Sequence, residues 1–378
     1  MKKILSFILI IFMILGMSAC GDETKEGSKA EQSEQTSEEA SMGSSEGASE
    51  TASEESAEES SEMPEKTYET SFADPLEVGY EKYENPFNPW IADPDIVYHD
   101  GKYYHVFGAW GCLFVSTFDD LANYTTDGAA MILQFVEGKP WAMDVWAPEI
   151  HFVDGYWYVY FSSAEKGTNE SHRMYAMKSK TDNPMGEYEE PVKLTDSTDK
   201  WAIDGTIFKY KGELYTVWSG WEGDENLAQN LYIAKMENPM KISSERVCIS
   251  TPRYTWEQFG GVPYVNEGPY AIVDGDYLTI LFSASGSWCD RYCIGQLLFT
   301  GDDVLDGNSW KKFEKPIHQS VRNKYYGPGH CSVVPDKNGV LWMIFHANEI
   351  SGTGWEGRSG WMHPIRINEK GKVEVIIY

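Results

Sequence analysis

The sequence predicts an all-β protein, a five-bladed β-propeller preceded by a signal peptide and a disordered acidic stalk. Three observations carry that prediction. One two-strand phrase recurs five times, its interval is nearly constant, and helical periodicity is almost absent between recurrences. The phrases are "DGKYYHVFG" from Asp100, "DGYWYVYFSS" from Asp154, "KGELYTVWSG" from Lys211, "DGDYLTILFSAS" from Asp274 and "NGVLWMIFHAN" from Asn338. Each sets a turn glycine before aromatic and β-branched residues, as a hairpin requires. The glycines Gly101, Gly155, Gly212, Gly275 and Gly339 are 54, 57, 63 and 64 residues apart. A unit of that length holds about four short antiparallel strands, and its apolar face is covered only when neighbours pack around an axis.

Taken in order, residues 1–20 read as a signal peptide: two lysines, a long apolar stretch, then "MSAC". The final four residues resemble the bacterial lipobox, so Cys20 is the expected lipid anchor, holding the protein on the outer face of a membrane. Residues 21–66 are Glu, Ser, Ala, Gly and Thr with hardly an aromatic or branched side chain. Such a segment buries too little surface to offset chain entropy and is expected to be an extended, self-repelling linker. It holds fifteen acidic and three basic residues, −12 of the total −28. Residues 67–378 remain as the five-bladed propeller domain.

The folded part stays acidic, which disfavours nucleic acid and polyanions and leaves a neutral polymer as partner. Beyond Cys20 lie Cys112, Cys248, Cys289, Cys293 and Cys331. An odd number leaves at least one free thiol, and Cys289 with Cys293 is the only pair close in sequence. Strand-like runs between the phrases are "CLFVSTF", "RMYAMKSK", "NLYIAKM" and "YCIGQLLF".

Chemistry-bearing residues sit upstream of each turn. Eight residues before the turn glycine stand Asp93 in "ADPDIVYHDG", Asp204 in "AIDGTIFKYKG" and Glu267 in "NEGPYAIVDG". The second repeat has Ala147 there, with Glu149 two further on; the fifth has Cys331, next to His330. Asp before Pro or Gly is a common turn former, but three carboxylates in one register point to a shared site at one rim. Converging carboxylates repel, so their proton affinities separate and one can act as acid while another acts as base. That is the requirement for cleaving a glycosidic bond. Trp90, Trp110, Trp146 and Tyr270 are the aromatic candidates for sugar contact, though most tryptophans of such a chain pack between blades.

These residues resemble glycoside hydrolase family 43, on "ADPDIVYHDGKYY", "WAPEIHFVDGYWYVYFSS", "AIDGTIF", "NEGPY" and "YGPGHCSVV". The resemblance implies a five-bladed propeller acting on arabinose- and xylose-containing polysaccharides with inversion. By position it implies Asp93 as general base, Glu267 as general acid and Asp204 as the carboxylate that orients the acid. It further implies His330 in a central channel, where calcium is expected, and Arg358, in "EGRSGWMHPI", near the terminal sugar, with a structural salt bridge as its alternative. Trp110, Trp146 and Glu149 complete the substrate-binding expectation. The motifs look most like the α-L-arabinofuranosidase branch, and the chain stops soon after the fifth repeat, where the xylosidase-like branch adds a β-sandwich. Endo-arabinanase, β-xylosidase and a non-catalytic sugar-binding propeller stay open as alternatives. A retaining fructan or sucrose hydrolase lacks its W-M-N-D-P and R-D-P motifs here.

Overall fold

The computed structural model describes residues 66–80, 83, 85–87 and 91–378. The predicted signal peptide, Cys20, Trp90 and nearly all of the predicted linker lie outside the described residues. The regular structure of the described part is almost entirely strand, with one short α-helix, Pro75–Val78, and four single-turn 3-10 helices.

Five antiparallel units follow one another along the chain. The first holds β1 (Asp95–His99), β2 (Lys102–Ala109), β3 (Cys112–Phe118) and β4 (Ala130–Gln134). The second holds β5 (Trp146–Val153), β6 (Tyr156–Ala164), β7 (His172–Lys178) and β8 (Val192–Leu194). In the third, β9 (Ala202–Tyr210), β10 (Glu213–Gly220) and β11 (Ala228–Asn238) are edged by β12 (Lys241–Ile242) and β13 (Val247–Ser250). The fourth holds β14 (Tyr264–Asp274), β15 (Tyr277–Ala284), β16 (Cys293–Phe299) and β17 (Trp310–Lys312). The fifth holds β18 (Tyr326–Pro335), β19 (Leu341–Asn348), β20 (Arg358–Ile367) and β21 (Val373–Val375). A short parallel pairing of Ala228 and Gln229 with Tyr264 and Val265 joins the third and fourth units. All four strand-like runs named from the sequence fall on strands: β3, β7, β11 and β16.

The first strand of each unit packs beside the first strand of the next, and β18 returns to β1, so the five units close a ring. Hydrophobic burial follows the same plan. There is no single core; one apolar cluster fills each of the five joints, such as Val106, Ile150 and Trp157 between units one and two, or Phe208, Leu231 and Phe282 between three and four. Each joint is also pinned by a backbone N–H that donates to a side chain of the neighbouring unit. Around the ring these are Ile150 to Asp95 Oδ2 (2.7 Å), Asp204 to Ser162 Oγ (3.0 Å), Gly268 to Asp204 Oδ2 (3.0 Å), His330 to Ser283 Oγ (2.6 Å) and Ile96 to Ser332 Oγ (3.3 Å). These amides lie where ladder pairing lapses or faces the next blade, so a side chain must satisfy them.

The structure answers what the sequence left open about the cysteines and corrects one expectation, the shared register. All five described cysteines are free thiols, Cys289 and Cys293 included. Cys293 opens β16, buried, with its sulfur 3.6 Å from the Ala284 carbonyl oxygen. The shared register is also offset in the fourth unit. Its turn is Gly275–Asp276, between β14 and β15, whereas the first unit turns on Asp100–Gly101. Counting from the glycine therefore places Glu267 one residue early.

Candidate active site

Every inner strand is kinked as it enters the site. Asp93, Ala147, Asp204 and His330 have φ of 48°, 44°, 56° and 49°, and Gly268 has 52°. Left-handed backbone is unfavourable for side-chain-bearing residues and, where it recurs, marks a constrained functional position. The kinks line up structurally at Gly268 in the fourth unit and His330 in the fifth, rather than at Glu267 and Cys331. Glu267 still reaches the site because the ladder between β14 and β15 is irregular from Glu267 to Tyr270, which re-aims its side chain.

The three predicted carboxylates line one cavity of about 520 Å³. His330 stands between two of them, with Nδ1 3.3 Å from Asp93 Oδ1 and 4.0 Å from Asp204 Oδ2. Arg358 lies 3.3 Å from Asp93 Oδ1 and lines the same cavity, so it serves both as ion-pair partner and as wall. His346 Nδ1 accepts the Asp93 backbone N–H at 3.0 Å. The same Nδ1 lies 3.2 Å from Asp93 Oδ1, and burial pushes His346 down to about 3, so the ring is uncharged at neutral pH.

The environments separate the carboxylates. Burial pushes Asp93 up, but His330, Arg358 and His346 outweigh it and hold Asp93 well below the usual carboxylate range. Burial also lowers His330, which leaves Arg358 as the permanent cation beside Asp93 at neutral pH. The Asp93 side chain keeps 21% exposure, enough to meet a water molecule. Glu267, 8% exposed, is pushed up to about 7 by burial, against the opposing effects of a Tyr292 hydrogen bond and Arg358. Asp204, 4% exposed, is raised well above its ordinary value by burial and then by Glu267 and Asp93. Its Oδ2 accepts the Gly268 N–H, next in sequence to Glu267. One carboxylate is thus ionised at neutral pH beside a buried pair that resists double ionisation.

The aromatic wall is only partly the expected one. Trp146 lines the cavity, stacked on His172 with ring centroids 3.7 Å apart. Trp110 is 91% exposed on the β2–β3 turn and does not line it. Tyr270 is turned to the Val333 carbonyl, 3.0 Å away. Glu149 is corrected from substrate contact to channel wall: it is 4% exposed, its Oε2 is 2.9 Å from His151 Nε2, and it lies outside the cavity lining. Two residues along an extended strand is roughly 7 Å, a full layer below the kink. Asp95 sits in that layer too, pushed up to about 7 by burial and by Glu149.

Three tryptophans of the wall were missed. Trp201 precedes Asp204 by three residues, as Trp90 precedes Asp93, an offset that could have revealed it. Trp288 and Trp355 come from loops far apart in sequence, meet edge to face at 6.1 Å, and had no local signal.

The expected calcium does not fit the donors. Among the described residues no group of three or more His, Cys, Asp or Glu side chains is arranged to hold a metal ion. Calcium takes six to eight oxygens, whereas His330 offers a nitrogen already facing Asp93.

An ionised carboxylate and a carboxyl of raised proton affinity in a tryptophan-walled cavity form the equipment of an enzyme that hydrolyses glycosidic bonds. The family model described as Glycosyl hydrolases family 43 matches residues 83–373, and the chain belongs to this family. It is 30% identical over 276 residues to an "Extracellular exo-alpha-(1->5)-L-arabinofuranosidase" of Streptomyces chartreusis, covering 71% of this chain and 83% of the relative. A protein of the same name from Streptomyces avermitilis is 32% identical over 263 residues, covering 68% of this chain and 54% of that one. The chain therefore spans about half the length of this second relative. Among solved structures, an α-L-arabinofuranosidase from Lactobacillus brevis superposes with a TM-score of 0.71 at 27% identity, over 76% of this chain and 94% of the other.

Proposed function

We propose that this protein is an exported, inverting, exo-acting α-L-arabinofuranosidase that trims arabinofuranosyl units from plant cell-wall arabinan or arabinoxylan. The observation that carries the reading is the split between Asp93, held ionised, and Glu267, held near 7, across one cavity. Asp93 takes a proton from water as its oxygen attacks the anomeric carbon. Glu267 gives its proton to the departing glycosidic oxygen as the bond to that carbon breaks. The displacement is single, so configuration inverts. Asp204 positions the acid by holding the Gly268 N–H, and the buried Asp204–Glu267 pair resists losing both protons. Arg358 keeps Asp93 ionised. The two Streptomyces relatives support arabinofuranose as the sugar and an exo mode of attack.

Residues 1–20 as a lipoprotein signal and 21–66 as a tether belong to the same proposal. They would place the propeller, residues 67–378, outside the cell on a leash long enough to search polymer. No step is routed through calcium.

The test is hydrolysis by the purified protein of para-nitrophenyl α-L-arabinofuranoside, para-nitrophenyl β-D-xyloside and linear arabinan, with the product anomer read by NMR. Arabinose as the sole product of arabinan, released with inverted configuration, is expected. Internal oligosaccharides, or xylose release alone, would overturn the assignment.

A further inference from the structure

A buried acid must offer its proton from a fixed oxygen, and burial does not by itself choose which one. Beside Glu267 the choice is made by a residue outside the three carboxylates. Tyr292 stands just before β16, is 1% exposed, and its hydroxyl donates to Glu267 Oε1 at 2.8 Å. In a carboxylic acid the carbonyl oxygen is the better acceptor, so engaging Oε1 leaves the proton on Oε2.

The tyrosine is held as tightly as the group it supports. Its ring stacks on His346, with centroids 5.8 Å apart and planes 11° apart. On another side it covers Gly329, where an added Cβ would lie 1.9 Å from ring Cε1. Only glycine allows that approach. Ser283 lies opposite Glu267 in the β14–β15 ladder, and its hydroxyl lowers the proton affinity of the Tyr292 phenol. Ser283 Oγ accepts from the His330 N–H at 2.6 Å.

We infer that Tyr292 is a positioning residue of the general acid, its hydroxyl fixing Oε1 of Glu267 so that the transferable proton sits on Oε2. The inference rests on the reading of Glu267 as the acid. Other groups facing Glu267 are the Ser287 hydroxyl, which also favours its ionised form, Asp204 on β9, Asp93 ahead of β1, His330 on β18 and Arg358 on β20, with His346 behind the tyrosine ring. Tyr292→Phe changes none of them. Losing the phenolic donor removes stabilisation of the carboxylate form, so the acid should hold its proton to higher pH.

The experiment uses the full chain with Tyr292→Phe and measures two quantities. One is the pH profile of kcat/KM on an arabinofuranoside with a poor leaving group. Its alkaline limb should move up by about one unit, with kcat on the plateau falling about tenfold as the oriented proton is lost. The other is an infrared titration of the Glu267 carboxyl C=O band, assigned by its disappearance in Glu267→Gln. It should move the same way whether or not the protein cleaves the substrate. An unmoved limb together with an unmoved band in a folded Tyr292→Phe would overturn the inference. Should Tyr292→Phe fail to fold, 3-fluorotyrosine at position 292 carries the test: its stronger phenolic donor should move the band to lower pH, and an unmoved band refutes the inference. Full activity in Glu267→Gln would instead sink the reading of the acid, while the infrared titration still decides the tyrosine contact.

Discussion

Replacing Glu267 with Gln removes the transferable proton at nearly constant volume. With Glu267 pushed up to about 7, about half of the molecules carry that proton at pH 7 and roughly a tenth at pH 8. Wild-type kcat/KM should therefore fall tenfold per unit above neutrality. On arabinan, whose leaving group is a sugar hydroxyl, Glu267→Gln should lose about 10²- to 10⁴-fold in kcat, the usual contribution of a general acid. On para-nitrophenyl α-L-arabinofuranoside, whose leaving group departs without a proton, the loss should be at least tenfold smaller. The alkaline limb should disappear from the mutant profile because the titrating group is gone. The assay is initial-rate kinetics on both substrates from pH 5 to 9. Equal losses on the two substrates, or an alkaline limb surviving at its wild-type position, would refute the assignment.

Asp204→Asn should lower the alkaline limb, because the mutual repulsion that raises the Asp204–Glu267 pair is relieved and the acid gives up its proton earlier; a limb that stays or rises contradicts this. Trp146→Ala should raise KM for arabinan about tenfold with little change in kcat, since the ring lines the cavity without touching the reacting carboxylates; steady-state kinetics distinguish the two. Lys312→Met should cost about 3–5 kcal/mol in chemical denaturation, because it leaves Glu257, fully buried and 2.5 Å from the lysine Nζ, without its counter-charge. Adding Glu257→Leu should recover part of that loss, and no recovery would count against the ion-pair explanation.

Much of this was legible from local pattern. Alternating apolar runs and turn glycines set the strands, and their repeat set the number of blades, because each hairpin is determined by its own residues. Asp93 and Asp204 were found by register alone, since their hairpins turn on the same two positions. Glu267 was found by the same count, yet its true register is one residue off and its approach to the cavity depends on an irregular stretch of ladder.

What pattern could not supply is the outcome of closing the ring. The Arg358 contact with Asp93 spans 265 residues and the Tyr292 contact with Glu267 spans 25. Neither leaves a periodic trace in the chain. Glu149 was placed in the cavity by adjacency, but a strand moves its side chains a layer away within two residues. Trp288 and Trp355 reach the wall from loops whose paths depend on neighbouring blades. The sequence by itself determined the strands, the blade count and the residue types at the rim. Only the tertiary structure decided which side chains share a cavity and which carboxyl keeps its proton, because proton affinity depends on burial and on neighbours that the chain brings together only when folded.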